Sequence, residues 1–210
     1  MAGLRKRGLR SLERNTALQH KPPARERIVA SAKQLFTERG FHGTAIADLA
    51  EYAQVSVGAI YRSFSNKSEI IRAIVQVDTE ETLGQLQADI EQVRDGSITG
   101  GAALEHMIFQ WVSTRSDPLK HEIVAEGHRN PEVADMIAGV CGQFRELFRT
   151  LARLLQPDLD DIEIEGAAEL LLACLFGMGN REFTQPRLDE RQTAAIVAKL
   201  ILRGLKRENS

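Results

Sequence analysis

The segment TAIADLAEYAQVSVGAIYRSFSNKSE, residues 44–69, places three helix starts close together. Thr44, Ser56 and Asn66 each carry a side-chain oxygen able to accept from the free N–H groups of a first helical turn. Behind Thr44, residues Ile46, Leu49, Ala50 and Ala53 share one helical face. Behind Ser56, Ile60 and Phe64 stand i, i+4. Glu69, three residues after Asn66, gives the spacing of a capping box. Caps this close dictate short helices meeting at steep angles. That is how a helix-turn-helix offers its second helix to the major groove of DNA.

Around this segment the apolar residues recur every three or four positions, and the 210 residues include only six prolines, a pattern that predicts an all-α chain. A first helix over 24–39 carries the stripe Ile28, Ala32, Leu35, Phe36 and ends at Gly40 as its C-cap, with Phe41 packed beneath. Helices over about 45–52 and 56–63 follow. The next starts after Asn66 and runs to Arg94, on the order of 42 Å at 1.5 Å per residue, with Gly84 as a possible bend. It joins a head to a body. Five more helices are expected over about 98–114, 117–128, 131–155, 161–183 and 188–207. Asp117-Pro118 and Asn130-Pro131 mark two of the starts. The expected domains are an arm over 1–23, a DNA-binding head over 24–70 and a body over 71–210.

Charge divides along the same line. Residues 1–75 hold 13 Lys+Arg and 6 Asp+Glu, net +7, and the remainder holds 14 and 23, net −9. A basic front on an acidic back fits a nucleic-acid-binding head on a body that does not touch DNA. The arm, with Arg5, Lys6, Arg7, Arg10, Arg14 and Lys21 against Glu13, reads either as a flexible basic segment for phosphates or the minor groove, or as a solvated tail. No apolar run reaches the roughly 18 residues that span a membrane, and the basic N-terminus lacks the apolar core of a signal peptide. Cys141 and Cys174 lie in apolar helical surroundings, as buried thiols of a reducing cytoplasm or as a disulfide pair.

Other chemistry lacks its motifs. There is no P-loop, dinucleotide fingerprint or G-x-S-x-G. His121 and His128 are i, i+7, not the i, i+4 spacing of a helical zinc site, so neither metal nor cofactor is expected. The chain does not read as an enzyme.

The head segment resembles the TetR/AcrR family of bacterial regulators, whose typical pattern is T-x-x-x-[DE]-[IL]-A-x-x-A-G-V-S-x-G-x-[IL]-Y-x-x-F-x-x-K-x-x-[IL]. Thr44, Asp48, Leu49, Ala50, Ala53, Val55, Ser56, Gly58, Ile60, Tyr61, Phe64, Lys67 and Ile70 stand at those positions. Gln54 replaces the usual turn glycine. If left-handed, it costs about 1 kcal/mol more than Gly. The resemblance implies a three-helix DNA-binding domain on a C-terminal helical ligand-binding and dimerisation bundle, about nine helices in all. It also implies a cytoplasmic homodimer that binds a palindromic operator in double-stranded DNA, acts as a repressor, and is released by a small-molecule effector. An effector-independent nucleoid or division factor on the same scaffold is the rival reading.

Residue roles follow. Val57 offers an apolar contact to a thymine methyl, and Gly58 lets the backbone approach a base edge. Arg62 is suited either to guanine or to phosphate, and Ser63 is a further candidate. The family's phosphate contacts fall on Thr44, Tyr61 and Lys67. The eighth helix is apolar nearly all round, so it is either central to the monomer or covered by a partner. The resemblance favours a four-helix dimer interface, with Leu171, Leu175, Met178, Ile196 and Leu200 on it. The family's effector pocket, between helices four to eight, would draw on His106, Gln110, Trp111, Glu126, Phe144, Phe148 and Met178, with Phe109, His121 and Glu122 as further candidates. The aromatic residues and Met178 would serve equally as ordinary core.

Overall fold

The structure is a computed structural model that describes residues 22–113 and 118–206. The basic arm expected over 1–23 lies almost wholly outside the described residues. Among those described are nine α-helices, one short 3-10 helix and no strand. The helices are α1 (Ala24–Arg39), α2 (Ile46–Tyr52), α3 (Val57–Ser63), α4 (Lys67–Arg94), α5 (Gly100–Ser113), α6 (Pro118–Gly127), α7 (Pro131–Leu155), α8 (Asp161–Met178) and α9 (Glu190–Gly204), with the 3-10 turn at Arg181–Thr184.

Local chemistry accounts for most boundaries. The Ser56 side chain accepts from Ala59 N–H at 3.1 Å and starts α3. Asn66 accepts from Glu69 N–H at 2.9 Å and starts α4, while Glu69 reaches back to Ser65 N–H at 2.6 Å, one residue beyond the usual capping box. Asn130 caps α7 ahead of Pro131, and α8 and α9 open on complete capping boxes, Asp160 with Glu163 and Asp189 with Gln192. Gly40 closes α1 at φ 78°, a region open to glycine without strain. Gln54 is left-handed at φ 53° in the turn between α2 and α3.

Two expectations fail. Thr44 is not the cap of α2. Ala45 holds that position without a side-chain bond, and Thr44 is buried with its hydroxyl donated to Gly40 O at 2.9 Å. The eighth helix ends at Met178 and not near 183. Gly179 and Asn180 end it, Asn180 donating back to Phe176 O at 2.8 Å. The α4 rod is uninterrupted through Gly84.

There are two apolar cores. The first gathers Ile28, Leu35, Phe36, Leu49, Ile60 and Phe64 from the head. It continues into α4 at Ile70, Ile71 and Ile74, and takes Leu119, Ile123 and Val133 from α6 and α7. The second lies in the body around Ile90, Leu104, Ile108, Trp111, Phe148, Leu151 and Leu171. In the body, α5 packs chiefly on α9 and α7 on α8, with α4 against α7.

Candidate nucleic-acid interface and body cavity

The α3 helix shows its outer face to solvent. Val57 is 42% exposed and Tyr61 57%, and Gly58 and Arg62 are exposed beside them. On the opposite face Ile60 and the following Phe64 anchor the helix in the head core. A Cβ at Gly58 would meet only Arg62 Nη1 at 3.6 Å and Ser56 Oγ at 3.9 Å, ordinary contacts. Nothing inside the head therefore requires glycine there. Ser63 is half-buried and its hydroxyl donates to Ala59 O at 3.1 Å. Tyr52, unnoticed in the sequence, adds a 47% exposed ring at the end of α2.

Thr44 and Lys67 turn the other way. The Thr44 hydroxyl is spent on the carbonyls of Gly40 and Leu35. Lys67 Nζ donates to Thr44 O at 2.6 Å and to Phe41 O, and it lies 4.5 Å from the centre of the Phe41 ring and 5.4 Å from that of Phe36. Burial pushes this ammonium below its ordinary pKa of 10.5, against the opposing pull of Glu122 and Glu126. Within the chain, both side chains tie the 41–44 loop to α1 and α4.

Glu122 and Glu126, expected near the effector, instead face this loop from α6. Glu122 accepts from Phe41 N–H, and the bare Cα of Gly40 makes room for it, since a Cβ would lie 2.8 Å from Glu122 Oε1. Glu126 is buried and meets His42 Nε2 at 3.0 Å and Arg129 at 3.5 Å. Burial alone would raise its carboxyl, but hydrogen bonds from His42 and Asn130 and the charges of His42 and Arg129 outweigh it and hold the group below its ordinary 4.5. Asn130 also donates to Ser68 Oγ at 3.1 Å. No local sequence signal marks the contacts of Glu122 with Phe41 and of Glu126 with His42, which join residues 81 and 84 positions apart.

A cavity of about 300 Å³ lies between α4, α5, α6, α7 and α8. Gln110, Trp111, Phe144 and His121 line it, joined by Asp78, Thr79, Thr82 and Gln85 of α4. Other expected lining residues lie elsewhere. His106 Nδ1 pairs with buried Asp89 at 2.8 Å. Phe148 is fully buried in the body core, edge-on to Trp111 at 5.8 Å. Met178 and Phe109 pack on the same core. Cys141, on the cavity wall, and Cys174 are free, half-buried thiols whose pKa burial raises.

The expected interface residues also separate. Leu171 is fully buried in its own chain, whereas Leu175, on the cavity wall, and Met178, against the body core, are half-buried. Ile196 (47% exposed) and Leu200 (58%) do face out, beside Leu170 (46%) of α8. Periodicity cannot orient a helix that is apolar all round, so the inward turn of Leu171 is not legible in the sequence. Among the described residues no three His, Cys, Asp or Glu side chains are placed to hold a metal, and no helix is long and apolar enough to cross a membrane.

The sequence profile described as "Bacterial regulatory proteins, tetR family" matches residues 28–74, the head and the first turns of α4. The transcriptional regulator UidR of Escherichia coli K12 is 33% identical over 117 residues, 55% of this chain and only 57% of that relative's length. The nicotine-responsive transcriptional repressor HdnoR of Paenarthrobacter nicotinovorans is 25% identical over 169 residues, 77% of this chain and 84% of its own. Salmonella enterica GusR superposes with a TM-score of 0.68 at 26% identity, covering 90% of this chain and 97% of that one. The head of this chain, residues 28–74, thus belongs to the tetR family of bacterial regulatory proteins, and the helical body that carries it is similar to that of GusR.

Proposed function

We propose that the chain is a cytoplasmic repressor that occupies a palindromic operator as a homodimer and leaves it when a small molecule enters the body cavity. The observation that carries this is the outward face of α3: Val57, Gly58, Tyr61 and Arg62 are exposed on a helix whose other side is locked in the head core. Val57 and Gly58 suit close approach to base edges, Tyr61 a phosphate, and Arg62 a guanine or a phosphate. One such helix reads few base pairs, and a twofold pair about 34 Å apart reads enough for an operator. The exposed apolar residues of α8 and α9 supply a surface for that pairing.

Release follows from shared walls. The α4 and α6 helices line the cavity with Thr79 and Val124, and they also hold the head through Lys67, Glu122 and Glu126. A ligand that prefers a displaced α6 would misplace the heads, whereas equal affinity for both states would shift nothing. A nicotine-responsive repressor among the relatives supports ligand control as a class, without naming this chain's ligand.

The test is selection of genomic fragments by the purified protein at ~150 mM salt, followed by footprinting. A few palindromic sites protected over two half-sites are expected. Weak, sequence-indifferent and salt-labile binding alone would refute operator recognition.

A further inference from the structure

Lys33 belongs to α1, inside the head, yet its ammonium reaches α4 and donates to both carboxylate oxygens of Asp78, at 2.6 and 2.8 Å. Asp78 in turn lies on the cavity wall. Among the described lining residues it is the only carboxylate. The surfaces it shares the cavity with are the flat rings of Trp111 and Phe144, the aliphatic Val140, and the hydroxyls of Thr79 and Thr82. The two basic lining residues, Lys120 and His121, stand exposed on α6.

We propose that the cavity takes a small organic cation, a protonated amine on an apolar or aromatic body, and that its N–H donors take Asp78 from Lys33. This rests on the cavity being the effector site. A carboxylate offers about four lone-pair positions, so an incoming ammonium can engage Asp78 before Lys33 has left. The Lys33–Asp78 pair is itself half-exposed, with side-chain exposures of 43% and 31%, and a pair so placed is weakly held. The ligand's charge would be better shielded than that of Lys33, with an aromatic face of Trp111 or Phe144 to stabilise it. An anion in the same place would oppose Asp78, and the exposed Lys120 and His121 would be screened by solvent. A neutral ligand would leave the pair intact and gain nothing from breaking it. The exchange therefore makes ligand charge the signal, because it unties α1 of the head from the α4 wall.

The only tryptophan, Trp111, is 6% exposed and lines the cavity, so its emission reports occupancy in the full chain. Three compounds share one skeleton and differ in charge: phenylpropylamine, phenylpropanol and phenylpropionate. The amine is expected to bind at least ~10-fold more tightly than the other two, the scale of one charged hydrogen bond. D78N should bring amine and alcohol to equal affinity. K33M, which removes the competitor, should tighten the amine several-fold and leave the alcohol unchanged, a gain that a merely structural role for the pair would not give. Phenylpropionate binding as well as the amine, an amine preference that survives D78N, no tightening in K33M, or no response to the amine up to millimolar concentration would each overturn the assignment. Operator binding in the same samples separates the two readings. If the alcohol or the acid fills the cavity and releases the operator, ligand control stands and the cation falls. If the amine binds as expected and the operator is kept, the cation site stands and release through it falls.

Discussion

Gln54 holds φ at 53° in the turn where the family pattern has glycine. Its Cβ crowds the neighbouring carbonyl there, whereas glycine has none to crowd. Glycine also gains freedom in the unfolded chain, which offsets part of the benefit. Gln54→Gly is therefore expected to stabilise the protein by about 0.5–1 kcal/mol in chemical denaturation; a loss of stability would show that the Gln54 side chain contributes more than its backbone costs. Glu126 makes a pH-dependent contribution of opposite origin. Its folded carboxyl lies below the ordinary 4.5 because His42, Asn130 and Arg129 favour the charged form. The stability it supplies is full above 4.5 and is lost as pH falls through the depressed folded value. Melting temperatures across pH should therefore show Glu126→Gln less stable than the parent near neutrality, with the gap closing below pH 4.5. A gap constant with pH would mean that the carboxylate's charge plays no part.

At the scale of elements, α8 and α9 each divide into a face for their own chain and a face turned outward. Leu171 is fully buried within the body, while Leu200 is 58% exposed. Leu171→Ala is expected to cost about 2–5 kcal/mol of stability through a cavity in the core. Leu200→Glu should leave the fold intact and weaken self-association and operator affinity together, as read by sedimentation and gel shift. If Leu200→Glu stayed dimeric at micromolar concentration, the paired surface would lie elsewhere. The sequence made the helices legible where the causes are local. Ser56 and Asn66 cap from three residues away, and Gly40 ends α1 by its own backbone freedom. It failed where the cause is distant. Thr44 has the chemistry of a cap, but the folding-back of the loop after Gly40 carries its hydroxyl under Leu35 O. Lys67 has the chemistry of a phosphate contact, and no local pattern shows that its ammonium also holds the carbonyls of Phe41 and Thr44. In the body, Phe144 and Phe148 are one turn apart on α7, yet Phe144 lines the cavity and Phe148 fills the core. That distinction depends on how α5 and α8 sit against α7, which no periodicity encodes.

For the whole molecule, the boundary expected near residue 70 cuts through an apolar core. Ile71, Ala73 and Ile74 of α4 and Leu119, Ile123 and Val133 of α6 and α7 are buried in the same cluster as Ile28, Phe36 and Ile60. The α4 rod then runs on unbroken into the second core at Leu83, Leu86 and Ile90. Polar ties reinforce the join, since Phe41 N–H, His42 and Ser68 each bond to α6 or the loop that follows it. A head that borrows part of its core from the body cannot lose the body and keep its own stability, so the two should unfold as one cooperative unit. The chain carries its own reporters for this. Both tyrosines, Tyr52 and Tyr61, lie in the head, and the only tryptophan, Trp111, lies in the body. Tyrosine near-ultraviolet dichroism and Trp111 emission should therefore give coincident melting curves. A fragment spanning 22–75, which lacks Leu119, Ile123 and Val133, should show little helix at temperatures where the full chain is folded. Two separated transitions, with the tyrosine signal lost first, would instead make the head an independent domain. Coupling to the cavity would then have to pass through the polar ties of α6 alone. With a shared core, a ligand that moves α6 moves Leu119 and Ile123 with it, and the head responds because its interior is being repacked.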